Sequence, residues 1–291
     1  MKIILLGASG QLGREWQHYF SRKANGQVLL LPYTSSQLDI THHKEISNEI
    51  IDQQPDIIIN CAAYTNVDKA ETEYEKAKRI NADAVAHLAA VCQQNDIKLV
   101  HYSTDYIFPG NEEDREKFPE GYPEDHRADP INKYGQTKWE GEEAIRESGC
   151  RHLIIRTTWL CGRYGNSFVK TMLKYGREKE ELQVVDDQWG SPAFADEVVD
   201  NNFILIEKEV EGTYHLTSKG LTNWADFAKT IFDYAGIEVS VKSVPSEEYP
   251  TEAERPKFSK LNTSKAEKVE DISISSWQDG LNRLLGQIEN H

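Results

Sequence analysis

The sequence predicts an α/β fold in which a parallel sheet is wound on both faces by helices and carries a smaller mixed α/β lobe. Three observations lead there. Short apolar strand patterns alternate with helical ones through residue 156. These strand patterns are apolar on both faces, as in sheets covered on both sides, rather than alternating between apolar and polar. The first of them runs directly into a glycine turn that opens a helix, the arrangement of a doubly wound sheet with its ligand at the carboxyl ends of the strands.

Taken in order, residues 2–6 form the first strand pattern, 7–13 the glycine turn and 11–20 a helix. A second strand follows at 28–31, a polar helix with apolar residues at helical spacing at 42–53, and a third strand at 56–59 (DIII). Residues 74–94 read as one long Ala-rich helix, 97–102 as a fourth strand, 132–146 as a helix and 152–156 as a fifth strand. Connections of this kind are right-handed. Residues 109–130, rich in Glu, Asp, Pro and Gly, lack periodicity and read as a loop at the rim of the site. The acidic part, 111–125, reads as solvated charge. Beyond Gly162 the pattern becomes mixed, with strand candidates at 182–185 and 213–215 between helices at 196–206 and 224–235. We therefore expect a Rossmann-type dinucleotide-binding domain over 1–161. A substrate-binding lobe over most of 162–291 is expected to return some segments to the first domain.

Composition narrows the class. The hydrophobic fraction of 38% supplies a sizeable core, and no apolar run approaches the roughly 20 residues that span a bilayer. The apolar start MKIILL flows into the glycine turn and reads as a buried strand, not a signal peptide. Four scattered cysteines (Cys61, Cys92, Cys150, Cys161) form no CxxC pair, which points to reduced thiols and a cytoplasmic protein. A net charge of −15 argues against nucleic acid as a partner.

The turn GASGQLG spaces its glycines as GxxGxxG. Gly7 permits the tight turn, Gly10 lets a pyrophosphate approach the backbone, and Gly13 lets helix and strand pack closely. After a strand and before a helix, this predicts dinucleotide binding. The second strand ends in Leu31, Pro32, Tyr33 and Thr34, with no acidic residue to hold a ribose hydroxyl and no arginine to hold a phosphate. NADPH and NADH both remain open as cofactors. Asp39 and Ile40, a little later, fall where the adenine edge would lie.

Tyr134 and Lys138 stand at i and i+4, on one helix face. Reducing a ketone requires a hydride on one side and a proton for the forming alkoxide. A phenol near its ordinary value of about 10 exchanges protons poorly at neutral pH, and a neighbouring ammonium is expected to lower that value. The fourth strand ends at Thr104 and Asp105, at a distance suited to a third catalytic group.

GxxGxxG, a hydroxyl residue after strand four and YxxxK together resemble the extended branch of the short-chain dehydrogenase/reductase superfamily. HYSTDYIFPG (101–110), PINKYGQTKWEGE (130–142), RTTWLCG (156–162), NSFVKTML (166–173), DDQWGSP (186–192), GTYHL (212–216) and RPKFSKLNTSK (255–265) resemble the dTDP-4-dehydrorhamnose reductase family over nearly the whole chain. That family reduces the C4 ketone of dTDP-4-dehydro-L-rhamnose, giving the activated sugar dTDP-L-rhamnose. The resemblance implies that Tyr134 is the general acid, Lys138 its partner and a ligand of the nicotinamide ribose, and Thr104 a hydrogen-bond donor to the carbonyl. It implies substrate contacts at Asp105, Trp159 and Arg255. Cofactor contacts are implied at Gly7, Gly10, Gln11, Leu12, Gly13, Asp39, Ile40, Ala62, Ala63 and Tyr64, besides Tyr134 and Lys138. Asn81 reads as structural.

Some family members hold magnesium between glutamates at a subunit contact. Glu15 matches one such position, but the others fall near Asp196 and the C-terminal tail, where the pattern is not reproduced cleanly, so magnesium stays open and metal-linked dimerisation is in doubt. No catalytic metal is expected, and the resemblance leaves a homodimer open. Competing readings are another nucleotide-sugar enzyme of the superfamily, an epimerase or dehydratase, or a non-catalytic regulatory subunit of the same fold. A dehydratase usually carries Glu where Tyr106 stands, and an intact Thr104, Tyr134 and Lys138 argues against a silent subunit.

Overall fold

β1 (Lys2–Leu6), the first apolar run, leads through the glycine turn into α1 (Gln11–Arg22) and then β2 (Leu29–Tyr33). The structure, a computed structural model, describes residues 1–23 and 28–289, so the last two residues of the expected 162–291 region lie outside it. α2 (His43–Gln53) crosses to β3 (Ile57–Asn60), which pairs with β1 on the side away from β2. α3 (Val67–Thr72), α4 (Tyr74–Lys78), a π-helical turn (Arg79–Asp83) and α5 (Ala84–Gln94) lead to β4 (Lys98–Thr104). After a 3-10 turn (Asp105–Ile107) come α6 (Asp114–Lys117), α7 (Lys133–Ser148) and β5 (His152–Thr157). The remainder comprises β6 (Leu160–Cys161), α8 (Phe168–Glu178), β7 (Glu181–Val185), β8 (Trp189–Gly190), β9 (Ala193–Phe194), α9 (Ala195–Glu207), β10 (Gly212–His215), β11 (Thr222–Asn223), α10 (Trp224–Ala235), β12 (Ser240–Val244) and α11 (Trp277–Glu289).

The main sheet is six-stranded in the order β10-β5-β4-β3-β1-β2, and every pairing in it is parallel. Side-chain alternation builds a core on each face. Ile3, Leu5, Ile59, Val100 and Ile155 pack with Trp16 of α1 and Val199 and Phe203 of α9, while Ile4, Leu6, Ile58, Leu99 and Ile154 pack with Ile46, Val85, Leu88 and Ile145. Each such fully buried side chain contributes about 1.5–3 kcal/mol, so burial rather than strand propensity decides the sheet. A third apolar cluster, formed by Val169, Leu173, Phe227, Ile231, Phe232 and Leu281, holds α8, α10 and α11 together. The short parallel pair β7–β12 lies beside them.

Several expectations need correction. The second strand runs on through Pro32, because β2 is the sheet edge and a proline there leaves no ladder bond unmade. The long helix over 74–94 is interrupted by the π turn, where Gly141 of α7 presses so close that a Cβ would meet the Asn81 carbonyl at 2.2 Å. Residues 213–215, a strand candidate of the second region, join the main sheet as its sixth strand and pair with β5. The acidic segment 111–125 is not simply solvated charge. Asp114 is buried and accepts the Tyr122 hydroxyl at 2.7 Å, and Tyr122 stacks on Phe108 beneath it. Glu112, Glu113, Glu116 and Glu120 do face solvent.

A buried ion pair ties α7 to the sheet. Arg156 of β5 reaches Glu142 through Nη2 at 2.7 Å and Nε at 3.0 Å, and donates to the Glu124 carbonyl at 2.9 Å. Although burial works against ionisation, Arg156 and Arg146 hold the Glu142 carboxyl down to about 2. Glu142→Gln should therefore cost about 3–5 kcal/mol in urea denaturation at neutral pH, because Arg156 stays buried without its counter-charge. Glu142 is depressed in the fold, so its contribution is present above the ordinary value of 4.5 and fades as pH falls towards about 2. The deficit of the variant should shrink over that window; a deficit independent of pH would contradict this assignment.

Candidate active site

The carboxyl ends of β1, β3 and β4 meet where the winding of the sheet reverses, between β1 and β3. Gly7 has φ +74°, and a Cβ on it would meet the Ala62 nitrogen at 2.6 Å. A Cβ on Gly13 would meet the Gly7 carbonyl oxygen at 2.3 Å. The turn therefore brings α1 and β3 together as closely as backbone allows. Gly10 is the N-cap of α1 and contributes no side-chain cap, so the first N–H groups of the helix are available to a phosphate. Leu12 is buried, and the Gln11 amide donates to the Leu160 carbonyl at 3.1 Å, which leaves their backbone for a ligand.

The segment after β3 is held by asparagines. Asn60 Oδ1 accepts the Ala62 N–H at 3.0 Å. Asn81 accepts the Tyr64 N–H at 2.8 Å and donates to the Tyr64 carbonyl at 3.0 Å and to Thr137 at 3.1 Å. It thus fixes Ala62, Ala63 and Tyr64 along the crevice and links them to α7. Asp39 closes a turn by accepting from the Thr41 N–H and hydroxyl, both at 2.8 Å, and Ile40 is buried beside it.

Asn132 starts α7 by accepting the Gly135 N–H at 2.8 Å. Gly135 lies so close to the 3-10 turn that a Cβ would meet the Tyr106 carbonyl oxygen at 2.0 Å. This contact sets Tyr134 beside Thr104 and edge-on to Tyr106 at 5.8 Å. The Thr104 hydroxyl donates to Asp105 at 3.0 Å, and Thr158 donates to the other oxygen of Asp105 at 3.0 Å. Burial raises the Asp105 carboxyl to about 6 against these bonds.

Lys138 is buried and donates to the Tyr102 carbonyl at 2.6 Å, with His101 Nε2 at 3.3 Å. The expectation that Lys138 lowers the Tyr134 phenol is not met. Burial pushes that phenol up to about 12, the neighbouring Thr104 hydroxyl pulls it down, and the Asp105 charge adds to the rise. The lysine is anchored on β4 instead, and burial brings its own value down to about 8.

Of the implied substrate contacts, Asp105 adjoins Thr104, and Trp159 stacks on Trp224 at 3.6 Å. Trp159 has φ +42°, a strained backbone for a bulky residue. Arg255 forms a two-pronged pair with Asp68 at 2.8 and 2.9 Å. It lines a cavity of about 250 Å³ with Phe168, Gln183, Trp224 and Tyr249. A cavity of about 660 Å³ at the opposite end of the strands, around Pro55, Asn95 and Lys98, is lined by none of the expected site residues.

The residues near the implied magnesium position do not fit that ion. Arg163 holds Glu15 at 3.1 Å, and Arg283 and Gln287 hold Asp196 at 2.8 Å each. Among the described residues, no group of three His, Cys, Asp or Glu could hold a metal.

The family described as the RmlD substrate binding domain matches residues 1–290. The chain belongs to this family. It is 38% identical over 299 residues to a dTDP-4-dehydrorhamnose reductase of Escherichia coli strain K12, covering 99% of this chain and 98% of that protein. Among solved structures, a Bacillus anthracis dTDP-4-dehydrorhamnose reductase in complex with NADP superposes with a TM-score of 0.92 at 39% identity, covering 98% and 99% of the two chains. A Thermus thermophilus UDP-glucose 4-epimerase, at 14% identity, shares the fold alone, with a TM-score of 0.81 and 99% of each chain covered.

Membership accounts for the Rossmann-type sheet and the extended short-chain architecture that the motifs imply. Sequence reasoning missed Asn60, His101, Thr158, Trp224 and Asp68, each of which touches or orients a predicted site residue. Only Asn60 gave a local signal, as a polar residue ending an apolar strand. No helix among the described residues is long and apolar enough to cross a membrane.

Proposed function

We propose that the chain is a cytoplasmic NAD(P)H-dependent reductase that converts the C4 ketone of dTDP-4-dehydro-L-rhamnose to the alcohol of dTDP-L-rhamnose. What supports this is that Thr104 ends β4 while the close Gly135–Tyr106 contact and the Lys138 bond to the Tyr102 carbonyl bring α7, with Tyr134, against that strand end, in a chain similar throughout its length to reductases of that name. The bound reduced nicotinamide would supply the hydride. The protein orients the reactants, stabilises the alkoxide and delivers the proton.

The Tyr134 hydroxyl is the donor to the C4 oxygen. A phenol held at about 12 is protonated throughout the working range, which is the form a reductase needs. Thr104 holds the carbonyl oxygen beside that hydroxyl. Lys138 supplies the positive charge that favours the transient phenolate and reaches the ribose. Asp105, Trp159 and Arg255 border the sugar and its diphosphate. Gly7, Gly10, Gln11, Leu12 and Gly13 hold the pyrophosphate, with Ala62, Ala63 and Tyr64 along the cofactor and Asp39 and Ile40 at its adenine end.

The test mixes purified protein with NADPH or NADH and dTDP-4-dehydro-L-rhamnose. The reading predicts nicotinamide oxidation in proportion to sugar consumed. Conversion of the sugar without net oxidation would favour an epimerase, and no change with either cofactor would sink the proposal.

A further inference from the structure

His101 is fully buried against Lys138. Its ring is ordered from the far side by Asn60, the residue directly opposite it in the β3–β4 ladder. The Ala62 N–H donates to Asn60 Oδ1 at 3.0 Å, which fixes the orientation of the amide. The amide nitrogen, Nδ2, therefore faces His101 Nδ1 at 3.2 Å. An amide nitrogen only donates, so Nδ1 must accept, and a neutral imidazole then carries its hydrogen on Nε2. Nε2 lies 3.3 Å from Lys138 Nζ. An ammonium has three hydrogens and no lone pair, so it cannot receive that N–H; a neutral amine can, while still donating to the Tyr102 carbonyl.

The alternatives are poorer. A doubly protonated His101 would turn a donor to both neighbours, and burial holds its value far below the ordinary one. Glu142, one turn along α7, favours the ammonium, but its oxygens are committed to Arg156 and Arg146. Cys61, after β3, is a half-buried thiol whose value desolvation pushes up. Tyr134, one turn earlier on α7, is a neutral phenol.

We propose that Asn60 and His101 act as a positioning pair that presents an N–H to Lys138, so that its ammonium is less favoured against the neutral amine than in an ordinary lysine. The depressed value of Lys138, about 8, agrees with this arrangement. On the reading that a nucleotide binds beside Lys138, its phosphates favour the ammonium. Binding then extends the ammonium form of the lysine to higher pH.

The test needs no nucleotide. Ring-15N NMR of histidine-labelled protein reads which nitrogen of His101 carries the hydrogen, and the 13Cε signal of Lys138, assigned by its loss in Lys138→Met, follows its titration. The proposal predicts hydrogen on Nε2, with Lys138 titrating at least about one unit below the ordinary lysine value of about 10.4. In Asn60→Asp the new carboxylate accepts from Nδ1–H, so the hydrogen should move to Nδ1 and the Lys138 titration should rise. Hydrogen on Nδ1 in the unsubstituted protein, or Lys138 titrating at its ordinary value there, overturns the proposal. So does a folded Asn60→Asp that keeps the hydrogen on Nε2. If that variant does not fold, the first two readings decide.

Discussion

Tyr134→Phe is expected to lower kcat by about 10²–10⁴-fold, the usual contribution of a positioned general acid, while NADPH affinity stays nearly unchanged. The substitution removes one oxygen. It leaves the ring packed edge-on against Tyr106 and the N-terminus of α7 capped by Asn132, so fold and crevice persist. What is lost is the proposed proton donor at the C4 oxygen. Fluorescence titration with NADPH and steady-state kinetics separate the two effects. A variant with unchanged turnover would remove Tyr134 from the chemistry, and one that lost nucleotide affinity in step with rate would make it a binding residue.

Lys138→Met should act differently, lowering kcat/KM by about 10²–10³-fold, as for loss of a preorganised charge at a reacting oxygen, and weakening NADPH binding as well. Stability should hardly fall, because an unbranched apolar side chain replaces a buried group that pays desolvation. The pH profile provides the sharper signature. Lys138 is brought down to about 8 by burial, so its ammonium form is lost as pH rises through that value. The kcat/KM of the unsubstituted protein should fall above about pH 8, whereas the residual activity of the variant should lose that limb. Tyr134, raised to about 12, contributes no limb in this range. An alkaline limb that survives in Lys138→Met belongs to another group.

What the sequence revealed follows the range of the interactions involved. The glycine turn was legible because a tight turn, a free helix N-terminus and close strand packing all lie within seven residues, and the structure makes Gly7 and Gly13 sterically obligatory. Tyr134 and Lys138 were legible because four residues of helix place them on one face. Thr104 was legible because β4 delivers it to the carboxyl edge, two residues beyond where the apolar pattern stops.

The rest depends on register and long-range packing. Asn60 meets His101 only because β3 and β4 pair in that register. Arg255 meets Asp68 across 187 residues of chain, and Trp159 stacks on Trp224 from another part of the lobe. The return of β10 to the sheet and the burial of Asp114 have the same origin. The local sequence there reads as short strand or acidic loop until the partner is known. The expected effect of Lys138 on Tyr134 failed for a related reason. Helical spacing brings the two side chains near one another, but the lysine is captured by β4 backbone and His101.

The central claim is that this chain moves a hydride to C4 and that Tyr134 protonates the oxygen there. It is tested most directly by incubating the protein with dTDP-4-dehydro-L-rhamnose and NADPH deuterated at nicotinamide C4, then locating the label in the product by NMR and mass spectrometry. The account predicts one deuterium at C4 of the sugar for each label transferred, none elsewhere on the ring, and a rate that collapses in Tyr134→Phe with the same labelling pattern. Label at another carbon, or product formed without deuterium, would contradict it.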